Sequence, residues 1–196
     1  LDPAMYPVFL KLQGRRVVLV GGGKVAAGKL DGLLAAGAQV TVVAPEIRPE
    51  LERPGVTLVR RAFETADLDG AWYAVAAAPP EVNRQVGAAA EQGRVFVNAV
   101  DDPAHATAYL GGVVRRAGVT IAVSTEGRAP ALAGLLREAL DAWLPGDLDE
   151  WMAAADGVRR AWREQGVAIE QRRPQLLDIL NRLYEGRRVP SGPRKR

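Results

Sequence analysis

At 196 residues the chain can hold one sizeable core plus a smaller appendage, and 48% hydrophobic with 25% charged residues is an ordinary globular composition. A net charge of +3 is too small to mark a nucleic-acid binder, and zero cysteines exclude a disulfide framework and any Cys-ligated zinc or iron–sulfur site. No apolar run approaches a membrane span and no secretory signal opens the chain, so the expectation is a cytoplasmic protein without nucleic-acid or membrane partners.

Leu1-Asp2-Pro3-Ala4 reads as an expression remnant ahead of a natural start at Met5. Tyr6 to Leu12 is a short apolar lead-in that ends at the Gln13-Gly14 turn. A strand, Val17 to Val20, then runs into Gly21-Gly22-Gly23 and a helical pattern. Gly21, Gly23 and Ala26 fill the G-x-G-x-x-G/A positions of a dinucleotide-binding turn. Gly21 permits the tight turn, Gly23 lets backbone approach a pyrophosphate, and Ala26 lets helix and strand pack closely. The helix that follows offers unpaired N–H groups and a positive dipole end to phosphate.

Val25, Leu30, Leu33 and Leu34 sit at helical spacing and predict one face packed on a sheet, with Gly37 closing the helix. A second strand spans Gln39 to Val43 and ends in Ala44-Pro45. The Asp or Glu that usually grips the ribose there is missing, although Glu46 lies just beyond; NAD is preferred over NADP. Further strands are read at Val56 to Arg60, Trp72 to Ala78 and Val95 to Asn98, with a helix from about Glu81 to Gln92. This alternation predicts an α/β fold, a Rossmann-type doubly wound parallel sheet with its ligand at the carboxyl ends of the strands.

After Asp101 the rhythm changes. Tyr109 to Arg115 and Val119 to Thr125 read as an antiparallel hairpin joined by Arg116-Ala117-Gly118. Pro130 opens a helix with Leu132, Leu135, Leu136 and Leu140 at helical spacing, stopped by Pro145. From Gly146 the sequence is helical and amphipathic, with Trp151, Val158, Trp162, Leu176, Leu177, Ile179, Leu180 and Leu183 as candidate core. A hairpin plus one helix is too small to bury its own apolar face, so this stretch is expected to pair with a second copy of the chain. The domain reading is a dinucleotide-binding domain at 5–108, a dimerisation hairpin and helix at 109–145, a helical module at 146–190 and a basic tail at 191–196.

Tyr6-Pro7-Val8-Phe9, the Gly21 to Ala26 turn, Leu33 to Ala38, Val82 to Val86, Val97 to Pro103, Ile121 to Pro130, Leu135 to Glu138 and Leu144-Pro145 occur in one order. Together they resemble the precorrin-2 dehydrogenase / sirohydrochlorin ferrochelatase family, the N-terminal half of siroheme synthase, here read as a stand-alone form. The resemblance implies oxidation of precorrin-2 to sirohydrochlorin with NAD as hydride acceptor. In many members insertion of ferrous iron follows, and the family forms an intertwined homodimer through the hairpin-and-helix segment.

The family's Asn-x-x-Asp aspartate falls on Asp101, where one general base serves dehydrogenation and the stripping of pyrrole protons. Asp102 before Pro103 is the better helix cap, which leaves Asp101 as the functional carboxylate. His105, the only histidine, lies four residues on, where a face shared with Asp101 would suit a metal ligand or second base, but a solvent-facing helix residue is the preferred reading. The cofactor side comprises Gly21, Gly22, Gly23, Lys24, Val25, Ala26, Ala44 and Pro45, with Asn83 and Asn98 either beside the nicotinamide or as buried turn-stabilising amides. Toward the polycarboxylate substrate stand Arg116, Ser124, Thr125 and Arg128, with Arg115 as a further candidate. No residue is assigned to a resident metal. Two segments depart from the family pattern: Tyr109 to Gly112 and Glu126 to Ala129, the latter with Glu126 in place of a glycine and Ala129 in place of a serine. Another class, a non-catalytic NAD-sensing Rossmann module, stays open on the residues alone.

Overall fold

The computed structural model describes residues 5–185; the readings of residues 1–4 and of the basic tail lie outside the described residues. The chain forms two compact units, one running to Gly111 and taking back Ser124–Ala129, the other made of Gly112–Val123 and the chain from Pro130 on.

The first unit is a five-stranded parallel sheet of β1 (Arg16–Val20), β2 (Gln39–Val43), β3 (Thr57–Val59), β4 (Tyr73–Ala76) and β5 (Phe96–Ala99), in the order β3-β2-β1-β4-β5. Helix α1 (Lys24–Ala35) packs with Leu30 and Leu33 against Val17, Leu19 and Val40; α2 (Pro80–Gly93) packs with Val86 and Ala90 against Val18 and Val97. Successive residues of β1 therefore point to opposite covered faces, which is why the strand is apolar throughout rather than alternating. Strand order reverses between β1 and β4, and a doubly wound sheet opens its ligand crevice at that point.

Local chemistry sets the element ends. Helix α1 closes in a Schellman motif: Ala38 N–H donates to Leu33 O, Gly37 N–H donates to Leu34 O, and Gly37 sits at φ 72°. Strand β4 stops short of the expected Ala78, whose N–H donates to Asn83 Oδ1 at 3.0 Å instead of to a neighbouring strand. The expected packing of Val25 is corrected: it lies in the first turn of α1 and is 50% exposed, on the rim rather than the sheet face. Between β3 and β4, the Arg61 guanidinium donates to both Asp67 carboxylate oxygens at 2.6 and 2.8 Å and holds that carboxyl below the usual range. Glu64 N–H adds a third bond at 2.9 Å, so the buried carboxylate closes the 3₁₀ turn at Thr65–Leu68.

In the second unit β6 (Gly112–Arg116) and β7 (Val119–Val123) form the expected antiparallel hairpin. Ala117 and Gly118, at φ 48° and 81°, make the left-handed two-residue turn that matches strand twist. Both strands are shorter than predicted: Tyr109 donates its hydroxyl to Pro103 O, and Thr125 spends its hydroxyl on Ala129 N–H. Helix α3 (Pro130–Trp143) rests on β6 at Gly112, where a Cβ would come 2.8 Å from Ala133 O. Ala133, not the leucines, is its buried residue: Leu132, Leu135 and Leu136 are 49%, 65% and 42% exposed. Helices α4 (Leu148–Glu164) and α5 (Ile169–Glu185) meet around buried Trp162, whose Nε1–H donates to Gln175. Leu177, expected in the core, is half exposed. Among the described residues no helix is long and apolar enough to cross a membrane.

Candidate functional site

Gly21 follows β1 at φ 126°, and a Cβ there would overlap the Ala77 carbonyl at the end of β4. A Cβ on Gly22 would overlap the Glu46 carbonyl, and Arg48 N–H donates to Gly22 O at 3.0 Å. Gly22 therefore locks the glycine turn onto the loop after β2, a reason the motif spacing does not supply. Gly23 differs: a Cβ there meets nothing within 4 Å, so its face is open. It is the N-cap of α1, without a side-chain cap bond and with no acidic residue in the first turn. The first turn of α1 thus carries no competing anion beside this open face, a setting that suits an anionic group. Lys24 is exposed beside them, and Ala26, fully buried, gives the close helix–strand contact.

At the end of β2, Ala44 is buried and bonded to Val59 O, while Pro45 and Glu46 are exposed. The nearby cation, Arg48, donates twice to Glu50, at 2.8 and 3.3 Å.

Beyond β4 and β5 lies a cavity of ≈ 450 Å³ lined by Ala78, Pro80, Asn83, Arg84, Val100, Asp101, Asp102 and His105. Asn83, 4% exposed, accepts from Ala78 N–H and donates to Val100 O at 3.4 Å, tying the loop after β4 to the loop after β5. Asn98 donates to Ala108 O at 3.0 Å and holds the chain that leaves that loop. Both amides have the turn-stabilising bonds foreseen as one of their two readings. Asp101 itself is exposed and sits at φ 56°, a left-handed conformation that costs a non-glycine residue about 1 kcal/mol or more.

Two expectations about its neighbours need correction. Asp102 is the N-cap of the short turn Pro103–His105 but makes no side-chain cap bond. Its carboxylate instead takes His105 Nδ1 at 2.8 and 2.9 Å. His105 is therefore not a free solvent-facing residue: it is half-buried, paired and on the cavity wall. Arg84, also on the wall, was not foreseen; its only sequence signal is its place one residue after Asn83 on α2.

The remaining candidates do local work in the structure. Ser124 Oγ accepts from Glu126 N–H at 3.1 Å and Thr125 Oγ1 from Ala129 N–H at 3.2 Å. Glu126 lies at φ 56°, which explains why a glycine suits that position. Arg128 is exposed. In the second unit Arg116 donates to Asp141 Oδ1 at 2.7 Å and to the carbonyls of Asp141 and Leu144, capping the end of α3. Among the described residues no three His, Asp or Glu side chains gather as a metal-holding group.

A family model described as "Putative NAD(P)-binding" matches residues 8–112, the span of the sheet, glycine turn and cavity. Siroheme synthase 3 of Aeromonas hydrophila is 40% identical over 172 residues, 85% of this chain and 37% of that protein. Siroheme synthase of Citrobacter koseri is likewise 40% identical over 172 residues, 85% of this chain and 38% of the relative. The chain thus spans a little over a third of the length of these curated relatives. The solved structure titled SirC, precorrin-2 dehydrogenase, shares the fold at TM-score 0.68, with 24% identity and 89% of each chain covered.

Proposed function

The chain belongs to the NAD(P)-binding family whose model spans residues 8–112, and from that premise we propose that it is an NAD-dependent precorrin-2 dehydrogenase. The observation that carries the reading is the cavity at the carboxyl ends of β4 and β5, where Asn83 fixes the loop that presents Asp101. Similarity to siroheme synthases over 85% of the chain supports precorrin-2 as the molecule that enters it.

Gly21, Gly22 and Gly23 with Lys24 and the N-terminus of α1 would hold the diphosphate; Val25 stays at the rim and Ala44-Pro45 border the ribose. Commitment of Arg48 to Glu50 favours NAD, because a 2′-phosphate needs a cation at that place. When bound, NAD supplies the acceptor for a hydride. The chain supplies the base: the macrocycle loses a hydride and a proton, and the Asp101 carboxylate takes the proton. Asp101 lies on the cavity wall in a left-handed loop, which sets its backbone at the site before substrate arrives. Ser124, Thr125 and Arg128 are assigned to the substrate side, Arg128 as the cation for a polycarboxylate.

The assembly in this reading is a homodimer, with the exposed Leu132, Leu135, Leu136 and Trp143 of α3 covered by a second copy. The test is anaerobic turnover of precorrin-2 with NAD, followed by absorbance. Sirohydrochlorin is expected, and NAD binding without it would favour the sensing module. Ferrous iron added afterwards separates the extensions: siroheme above a no-enzyme control assigns chelation to this chain, and persistent sirohydrochlorin confines it to dehydrogenation.

A further inference from the structure

We infer that the Asp102–His105 pair is the proton relay of the site, unloading Asp101 after each turnover; this rests on the dehydrogenase reading above. The reaction deposits one proton per hydride. A carbon–hydrogen bond of the macrocycle breaks with its electron pair going to NAD, and a pyrrole N–H bond breaks with its electrons kept by the ring and its proton passing to Asp101. The substrate is oxidised by two electrons and NAD is reduced by the same two. Asp101 must lose that proton before it can act again, and the relay carries it from the Asp101 carboxyl to His105 Nε2 and then to water.

The geometry of the pair suits this task. Both Asp102 oxygens lie within 2.9 Å of His105 Nδ1, and a carboxylate only accepts, so Nδ1 carries the hydrogen. That fixes the tautomer and leaves Nε2 with its lone pair. When Nε2 takes a proton, the Asp102 carboxylate stabilises the resulting cation. The His105 side chain is 38% exposed, while the residue also lines the cavity with Asp101. A relay needs both a wall on the site and an outlet to water.

The seat of His105 is built. Its Cβ and carbonyl lie against α2 at Gly87, where an added Cβ would come within 2.9 and 3.0 Å of them. The side-chain pair is not needed to form the turn, because His105 N–H already donates to Asp102 O at 3.2 Å. The charged groups beside the imidazole are Asp101 and Asp102 on its own loop and Arg84 on α2; β5 carries no titratable side chain. His105 acts through Asp101 and is a positioning residue in this sense, so its test must read proton flow.

The experiment measures kcat, KM and NAD affinity of the whole chain against pH for wild type, His105→Ala, His105→Gln and Asp102→Asn, with and without added imidazole. Both His105 variants should lose roughly 10- to 100-fold in kcat, at or below the low end of general acid–base effects, with KM and NAD affinity within about twofold. Imidazole should restore part of the loss in His105→Ala. Asp102→Asn should keep activity at high pH and move the acidic limb of the profile, since the imidazole has lost its counter-charge. Turnover and pH profile of both His105 variants within about twofold of wild type overturn the relay. So does a loss in His105→Gln, folded as wild type, alongside a His105→Ala that imidazole does not rescue, because that is a structural role. A wild-type chain that binds NAD but oxidises no precorrin-2 overturns the reading of the site, and the relay falls with it.

Discussion

In the first unit Val17 to Val20 of β1 are at most 2% exposed, with helices on both sides of the sheet. In the second unit α3 has a stronger helical periodicity of leucines, yet Leu135 is 65% and Trp143 78% exposed. The difference teaches what a hydrophobic pattern encodes. It says which residues share a face, and it does not say what covers that face. A doubly wound sheet supplies its own cover from the intervening helices, whereas a two-stranded hairpin and one helix have too few layers to do so.

Four substitutions sharpen or break this contrast. Gly22→Ala should have the largest effect, because its Cβ overlaps the Glu46 backbone and neither partner is a flexible side-chain end. It is expected to cost about 4 kcal/mol, roughly 8–16 °C in Tm, and to abolish NAD binding. Calorimetry and NAD titration check it; a wild-type Tm would show that the turn is not locked to the loop after β2. Leu30→Ala, at a site 1% exposed, should cost about 3 kcal/mol by urea unfolding.

Asp67→Asn comes next, at about 1–2 kcal/mol near neutrality, because it removes the charged acceptor of the Arg61 fork. The Asp67 pKa is lowered in the folded chain, so its contribution is full above the unfolded value of about 3.9 and is lost as pH falls through the folded value. Wild-type and variant urea midpoints should therefore differ at neutral pH and converge in strong acid. A difference that persists there would assign the cost to packing. Smallest in the isolated chain is Leu135→Ala, below about 0.5 kcal/mol, since the side chain is mostly in water. On the dimer reading the same change should weaken self-association roughly fivefold by sedimentation, about 1 kcal/mol. No change in association would leave the α3 face without the partner assigned to it.

The legible part of the chain was the part in which function is written in backbone geometry. Gly21 and Ala26 announce the turn because neither position has room for a large side chain, and Gly23 because the backbone there stays open to a phosphate, while β1 announces itself by the unbroken apolar run Val17 to Val20. Val25 misled because a residue at the open N-terminal turn of α1 shares the helical period of Leu33 without sharing its cover. The pairing of Asp102 with His105 was hidden because an i,i+3 spacing behind a cap position does not choose between a helix cap and a side-chain pair. Asn83 bridges to Val100, 17 positions away, and Arg116 reaches Asp141 across 25; contacts at such separations have no local signature.

Gly87 has a consequence for descent. The loop that carries Asp101, Asp102 and His105 rests on α2 at Gly87, where that helix has no side chain to offer. A mutation there would lift the loop proposed to carry the base while leaving Gly21 to Gly23 and the sheet as they are. On the dehydrogenase reading, a lineage of this fold would thus fall silent as an enzyme in a single step and go on holding its nucleotide. Dehydrogenase and mute nucleotide binder would then be neighbours one codon apart, divided by a methyl group on the back of a helix.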